Sequence, residues 1–557
     1  MHAFLIENFA PLMFAALVVF LLLGYPVAFS LAANGLLFAF IGIELGIFNT
    51  DLFKLLPERV FGIMRNETLL AIPFFTFMGL ILERSGMAED LLDTVGQVFG
   101  PVRGGLAYAV IFVGALLAAT TGVVAASVIS MGLISLPIMM RYGYDRRLAS
   151  GVIAASGTLA QIIPPSLVLI VLADQMGRSV GDMYKGALIP GLTLTGLYAF
   201  YVLLVTIFRP KAAPALPPEA RAFRQPNGSS GYPSLVVVVL ICVAIGIGLS
   251  YFMEATWVMD EDSVVILSAM LAIVGIYIVA LLHRILKLNF LSRLSQQVVF
   301  AMVPPLALIF LVLGTIFIGV ATPTEGGAMG AVGALIMALA NRRLTWSLMR
   351  QAMDTTAKLS SFVIFILVGA TTFSLMFNAA RGDHWVESLL TSLPGGQVGF
   401  LIVVNLLVFV LAFFLDFFEL AFIIVPLLAP VAEKLGIHLI WFGVVLGVNM
   451  QTSFMHPPFG FALFYLRSVA PDRAYLDKVT KKLTDGITTM QIYWGAIPFV
   501  IIQLIMVGLV IVFGQQLVVN QVEKGPKKDP SKIEIKIDTP SPDIAPPTIP
   551  TLPQQQQ

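Results

Sequence analysis

Residues 234–252, SLVVVVLICVAIGIGLSYF, carry no charge, and a run of that length and character folds in lipid. Comparable runs lie at 11–24, 264–282 and 499–514. With 58% hydrophobic and 12% charged residues over 557 positions, the whole chain belongs in a bilayer. Its net charge of +1 argues against a nucleic-acid partner. The single cysteine, Cys242, lies within a span and offers neither a disulfide framework nor a thiolate metal site. No cleavable signal peptide is expected, because Glu7 rather than a basic segment precedes the first span.

Lys and Arg collect in short cytoplasmic loops. Loops around Arg141–Arg147, Arg209–Arg224, Arg284–Arg293, Arg342–Lys358 and Arg467–Lys482 are therefore placed inside. The acidic connector Met253–Ser263 falls on the other side, as do both termini. The Pro/Ala/Gly-rich loop 209–233 is expected to be flexible. The Pro-rich tail 516–557 is expected to be disordered.

Two apolar stretches are interrupted in the same way: SGTLAQIIPPS at 156–166 and NMQTSFMHPPF at 449–459. Pro164 and Pro457 stand 293 positions apart, and so do Pro165 and Pro458, Pro137 and Pro430, and Gly143 and Gly436. The connecting loop is basic in the first copy (141–147, RYGYDRR) and close to neutral in the second (433–439, EKLGIHL). The two copies therefore run through the membrane in opposite directions, an arrangement of secondary transporters. Ahead of each interruption lie paired apolar arms too short to cross separately, at 105–119 with 123–138 and at 399–414 with 417–431. Each pair is read as a re-entrant hairpin whose tip must meet protein or a water-filled cavity.

Unwound backbone at such places exposes carbonyls, hydroxyls and half-helix ends. Oxygen groups of that kind suit Na⁺. Candidate ion ligands are Thr121 and Gly122 at the first tip, Ser156, Gly157 and Thr158 at the first break, Asp416 at the second tip, and Asn449, Thr452 and Ser453 at the second break. Half-helix N-termini suit a carboxylate, which makes Pro165, Ser166 and Pro458 candidate substrate contacts. Asp416 is either a functional intramembrane carboxylate or an anchor for the hairpin, and Glu419 is open between the same two roles. His456 is better read as a hydrogen-bonding residue beside a helix break. Thr322 and Glu325 fit a capping box that starts a helix with Pro323 in its first turn, and they are kept as candidate substrate contacts beside that role.

Several motifs together resemble the large membrane subunit of tripartite ATP-independent periplasmic (TRAP) transporters. They are IPFFTFMGLILERSG, TTGVVAASVISMGLISLPIMMRYGYD, SGTLAQIIPPS, GVATPTEGGA and FLDFFELAFIIVPLLAPVAEKLGI, and they run collinearly through about 1–208 and 296–515. The resemblance implies a bacterial inner-membrane permease driven by a Na⁺ gradient and working as an elevator. It also implies a small four-helix membrane subunit and a periplasmic substrate-binding protein as partners, and an organic acid as substrate. Departures from the family pattern include Ser127, Gln161 and Glu419.

The expected fold is an all-α polytopic membrane protein with about twelve spans and two re-entrant hairpins. Residues 1–208 form the first inverted repeat, with hairpin 105–138 and broken helix 148–172. Residues 209–295 are an insertion with two extra spans, and 296–515 are the second repeat, with hairpin 399–431 and broken helix 440–466. A stand-alone ion-coupled carboxylate transporter is the alternative function. An enzyme is not expected, since a hydrolase needs a nucleophile and base on facing helices.

Overall fold

The computed structural model describes residues 2–220, 231–256, 261–287, 290–477 and 479–523. The first half contains α1 (His2–Glu7), α2 (Phe9–Leu22), α3 (Val27–Glu44), α4 (Leu55–Met64), α5 (Ala71–Arg84), α6 (Met87–Phe99), α7 (Gly105–Thr121), α8 (Val124–Arg141), α9 (Arg146–Thr158), α10 (Leu167–Gln175) and α11 (Val180–Phe208). The insertion supplies α12 (Tyr232–Thr256) and α13 (Glu261–Ile285). The second half contains α14 (Arg293–Phe317), α15 (Pro323–Ala340), α16 (Trp346–Ala379), α17 (Gly382–Thr391), α18 (Gly396–Leu411), α19 (Phe417–Ile423), α20 (Val425–Lys434), α21 (Leu439–Ser453), α22 (Phe461–Val469) and α23 (Thr489–Gly514).

Among the described residues nine helices are long and apolar enough to cross a membrane, or eleven if each of two bent pairs is one span. With α7–α8 and α18–α20 as re-entrant hairpins, the crossings of the first half are α2, α3, bent α4–α5, interrupted α9–α10 and α11. Those of the second half are α14, α15, α16, interrupted α21–α22 and α23, and α12 and α13 complete the twelve. Each half makes an odd number of crossings and the insertion an even one. The halves are therefore antiparallel.

Their equivalence is visible in the backbone. Residues at positive φ recur in pairs 291 to 296 positions apart: Gly24 with Gly319, Gly46 with Arg342, Gly86 with Arg381, Gly104 with Gly395, and Gly143 with Gly436. The Pro164–Pro165 and Pro457–Pro458 peptide bonds are both cis. Packing between the halves is exchanged as a two-fold axis requires. Helix α3 lies on α16 and α5 on α15, α6 on α14 and α17 on α2, α10 on α19 and α22 on α8. Even single contacts swap: a Cβ on Gly35 would stand 3.1 Å from the Phe373 Cα, and one on Gly330 would stand 2.4 Å from the Met78 sulfur. Small residues are needed there because, without a hydrophobic drive between helices in lipid, close van der Waals packing holds them together.

The loop after α11 differs from its expected flexibility. Residues 209–220 are strapped down, the Ala213 and Ala212 carbonyls accepting from the Gly104 and Asp145 amides and the Leu216 amide donating to the Gly100 carbonyl. Prolines limit the chain's freedom, and three backbone hydrogen bonds supply the partners that a Pro-rich segment cannot find within itself. Residues 221–230 lie outside the described chain. Beyond α23 a π-turn, Gln515–Val519, leads into a last helical turn, Asn520–Glu523, with Val518 and Val519 buried and Val518 beside Gly186 of α11. The expected tail boundary at 516 thus falls inside an ordered helix, because valines continue its apolar face. Residues 524–557 are outside the described chain. The inserted helices pack on each other and on α14, and α12 exposes Val236, Leu240, Val243 and Ile247 along its length.

Candidate functional site

The first break begins where α9 stops at Thr158. A 3-10 turn, Leu159–Gln161, follows, and the chain stays non-helical to Ser166 before α10 starts. Pro164 and Pro165 impose this, since neither can donate to a helical ladder. The second break runs from the end of α21 at Ser453 to the start of α22 at Phe461, around Pro457 and Pro458. At the first break the backbone groups leave the helical ladder while fully buried, whereas at the second Pro458 and Phe459 are exposed.

The hairpins bring their tips to these breaks. Gly122 closes α7 at φ 59°, and a Cβ there would lie 3.1 Å from Leu167 Cγ and 3.6 Å from the Pro165 carbonyl oxygen. Ser156 and Gly157 sit in the groove of the same hairpin. A Cβ on Gly114 of α7 would meet the Ser156 Cβ at 2.5 Å, and one on Gly157 would meet the Val128 amide nitrogen of α8 at 3.1 Å. The Thr121 side chain lies outside the described residues. At the second tip Asp416 caps α19: its Oδ1 accepts from the Glu419 amide at 2.9 Å, and Glu419 Oε2 accepts from the Asp416 amide at 2.8 Å. Asp416 is half-buried and Glu419 is buried.

A cavity of about 410 Å³ opens where the tips meet. Gly122–Ala125 line it from the first hairpin, and Phe414 with Asp416–Glu419 from the second. Leu167 at the start of α10, and Phe461 and Tyr465 of α22, come from the second halves of the broken helices, and Phe454 closes the end of α21. Leu359 and Phe362 of α16 form the facing wall.

The remaining candidates are placed around this centre. Ser166 is fully buried and donates to the Gln161 carbonyl at 2.7 Å. The hydroxyls of Ser156, Thr158, Thr452 and Ser453 donate to carbonyls of their own helices, at Ile153, Ala155, Val448 and Met450. A hydroxyl that donates its proton keeps lone pairs for a cation. Asn449 Nδ2 donates to the Asn405 carbonyl at 2.7 Å, and the buried Asn405 Oδ1 has no partner among the described residues. Gln161, inside the first break, likewise leaves both its amide oxygen and its amide nitrogen buried without partners. Orphaned buried oxygens are costly unless something binds them.

Thr158 also reaches across the molecule. It accepts from Gln451 Nε2 at 3.3 Å and Gln503 Nε2 at 3.4 Å, and both amides also donate to the Tyr198 hydroxyl. Gln451 stands at the position equivalent to Thr158, so this buried knot ties one repeat to the other. Asn405, Gln451, Gln503 and Tyr198 escaped sequence reasoning, although single polar residues inside apolar spans are themselves a signal.

Three candidates lie elsewhere. Thr322 and Glu325 are exposed and form the capping box of α15, with Thr324 bonded to the Glu67 carbonyl at 2.7 Å. Pro458 is exposed, its carbonyl accepting from the Tyr493 hydroxyl at 3.4 Å, whereas Pro165 is buried. His456 is stacked on Phe413 with ring centroids 3.9 Å apart and does not line the cavity.

Residues 14–288 and 262–515 match the family model of the tripartite ATP-independent periplasmic transporter, DctM component. The chain belongs to this family. As a DctM-family permease it is a multi-pass protein of the bacterial inner membrane. It is 28% identical to the C4-dicarboxylate TRAP transporter large permease protein DctM of Pseudomonas aeruginosa, over 76% of this chain and 82% of that one. The protein of the same name from Rhodobacter capsulatus is 28% identical over 82% of this chain and 89% of its own length. Among solved structures, the YdaH transporter of Alcanivorax borkumensis superposes with a TM-score of 0.51 at 15% identity, covering 85% of this chain and 91% of that one, and so shares the fold.

Proposed function

We propose that the chain is the large permease subunit of a sodium-driven transporter that imports a small organic acid delivered by a periplasmic binding protein. The observation that carries this reading is a cavity lined by both hairpin tips and by the second halves of both broken helices, facing α16. Family membership and the dicarboxylate relatives support the organic acid, the binding protein and a small four-helix membrane subunit as partner. In this reading α16 and the outer helices are the scaffold, and the hairpins with the broken helices move past it as an elevator. Sodium fits the donor set: Gly122, Ser156, Gly157 and Thr158 would hold one ion, and Asn449, Thr452 and Ser453, with the orphaned Asn405 Oδ1, another, with Asp416, which lines the cavity, left outside both sets. Each ion would be coupled to transport by joining a hairpin to its break.

The test is uptake into proteoliposomes holding this chain and the small subunit, with the loaded binding protein outside. Uptake is expected to require an inward Na⁺ gradient, to vanish when K⁺ replaces Na⁺, and to fall at least tenfold or lose its Na⁺ dependence in Ser156→Ala and Asn449→Ala. Full Na⁺-dependent activity in both variants removes these ligand assignments. Uptake that persists without the binding protein establishes the stand-alone transporter instead.

A further inference from the structure

The central cavity has an unusual chemistry for a carrier of anions. Among the described residues its wall holds two carboxylates, Asp416 and Glu419, and no Lys, Arg or His. Lys358, next to Leu359 on α16, is exposed and outside the lining. The remainder of the wall is dominated by rings: six phenylalanines and Tyr465. These rings are clustered, Phe417 on Phe418 with centroids 3.8 Å apart and Phe454 on Phe461 at 5.5 Å. A substrate carrying only negative charge would meet two acids and no countercharge. Aromatic faces beside carboxylates are instead the surroundings that hold a substituted ammonium group, whose charge is attracted by the ring quadrupoles.

The opposite requirement is met at another part of the wall. Helices α10 and α22 are nine residues each and start at Leu167 and Phe461, both in the lining. At α22 the Ala462 amide already donates to the Phe454 carbonyl and the Leu463 amide to the Gly460 carbonyl, both at 3.0 Å, whereas the first amides of α10 have no intrahelical acceptor and carry the positive end of the helix dipole. The capping box occupies one oxygen of Asp416 and one of Glu419, and each acid has a second.

We infer that the substrate is a small zwitterion, with a quaternary or substituted ammonium group held by Asp416, Glu419 and the surrounding rings and a carboxylate directed to the start of α10. The inference deepens the transport reading above and rests on it. It narrows the organic acid to one that carries its own cation. Glu419 is the specificity-determining residue, because it adds a second negative charge to a tip that Asp416 already caps.

Saturation-transfer NMR on the full-length chain purified in detergent, at constant Na⁺, tests it with two probes in one tube. Glycine betaine and 3,3-dimethylbutyrate have the same shape and differ in the charge of one atom, and each gives a nine-proton singlet. The betaine singlet is expected to gain at least fivefold more saturation than its isostere. Asp416→Asn and Glu419→Gln should each reduce that gain at least threefold, while Asp51→Asn, on the exposed surface, leaves it unchanged. Asn and Gln retain the capping hydrogen bonds, so both variants keep the tip's fold, which an unchanged melting temperature confirms. An equal or larger effect on 3,3-dimethylbutyrate or on succinate overturns the inference. So does a betaine effect that survives both substitutions, or no saturation transfer to betaine at all. Na⁺-driven uptake of a purely anionic acid would overturn it while leaving the transport reading intact, whereas failure to take up any acid or zwitterion would remove the transport reading itself.

Discussion

Gly151 and Gly495 let two backbones touch. A Cβ on Gly495 would lie 2.1 Å from the Arg147 carbonyl oxygen, and one on Gly151 equally close to the Gly495 carbonyl oxygen. Nothing in α9 or α23 can yield, since the obstacle on each side is main chain. Gly495→Ala is therefore expected to cost about 1–3 kcal/mol, as overpacked sites do, and to lower the melting temperature in detergent. Gly508→Ala on the same helix, with open space around it, should leave the melting temperature unchanged or higher. Beyond the end of α8, Asp477 accepts from the Thr480 amide at 2.6 Å and from its hydroxyl, and pairs with Arg141 at 3.1 Å. Above all the Thr480 amide, with that hydroxyl and Arg141, holds the Asp477 carboxyl down to about 2, against the opposing effect of burial. A depressed carboxyl stabilises the fold fully above its unfolded value, about 4, and loses that contribution as pH falls toward 2. Protection factors of the Val479 and Thr480 amides should accordingly stay high at pH 7 and fall below pH 4, and Asp477→Ala should show the low protection at pH 7 as well.

At the scale of elements, the breaks and hairpins were legible because Pro, Gly and small polar residues have few other uses within 20 apolar positions. Other elements had weaker signals. Asp416-x-x-Glu419 has the spacing of the capping box recognised at Thr322–Glu325, yet the lipid-like surroundings of the acids drew attention to their charge rather than to their hydrogen bonds. Helices α6 and α17 were hidden because each follows a long span without a turn longer than three residues. The two-residue strands Tyr475–Leu476 and Leu483–Thr484 are too short for any alternation to register. The orphaned oxygens of Asn405 and Gln161 could be found only once their neighbours were placed. The capping role of Thr322 leads to an expected outcome. Thr322→Ala should lower stability by about 1 kcal/mol through the lost N-cap, with KM for uptake changed less than twofold. A tenfold rise in KM at unchanged stability would make the residue a substrate contact.

For the molecule as a whole, antiparallel duplication was readable from prolines and loop charges alone. Its internal two-fold emerged only from which helices touch. Contacts between distant segments leave no trace in local pattern: α3 names no partner until α16 lies on it. The insertion follows the same logic. Helices α12 and α13 attach to α14 and leave the exchanged pairs undisturbed, so the symmetric core is complete without them. The strap at 209–220 bears on this separately. By fastening the end of α11 to the turns at Gly100, Gly104 and Asp145, it finishes the amino-terminal half before the insertion begins. Continuity of the polypeptide past Ala220 is then a convenience of synthesis rather than a condition of assembly. Two genes, one ending at Ala220 and one starting at Tyr232, should yield fragments that find each other in the membrane and co-purify through a tag on either piece, and a tagged fragment recovered alone would show that the covalent link is indispensable.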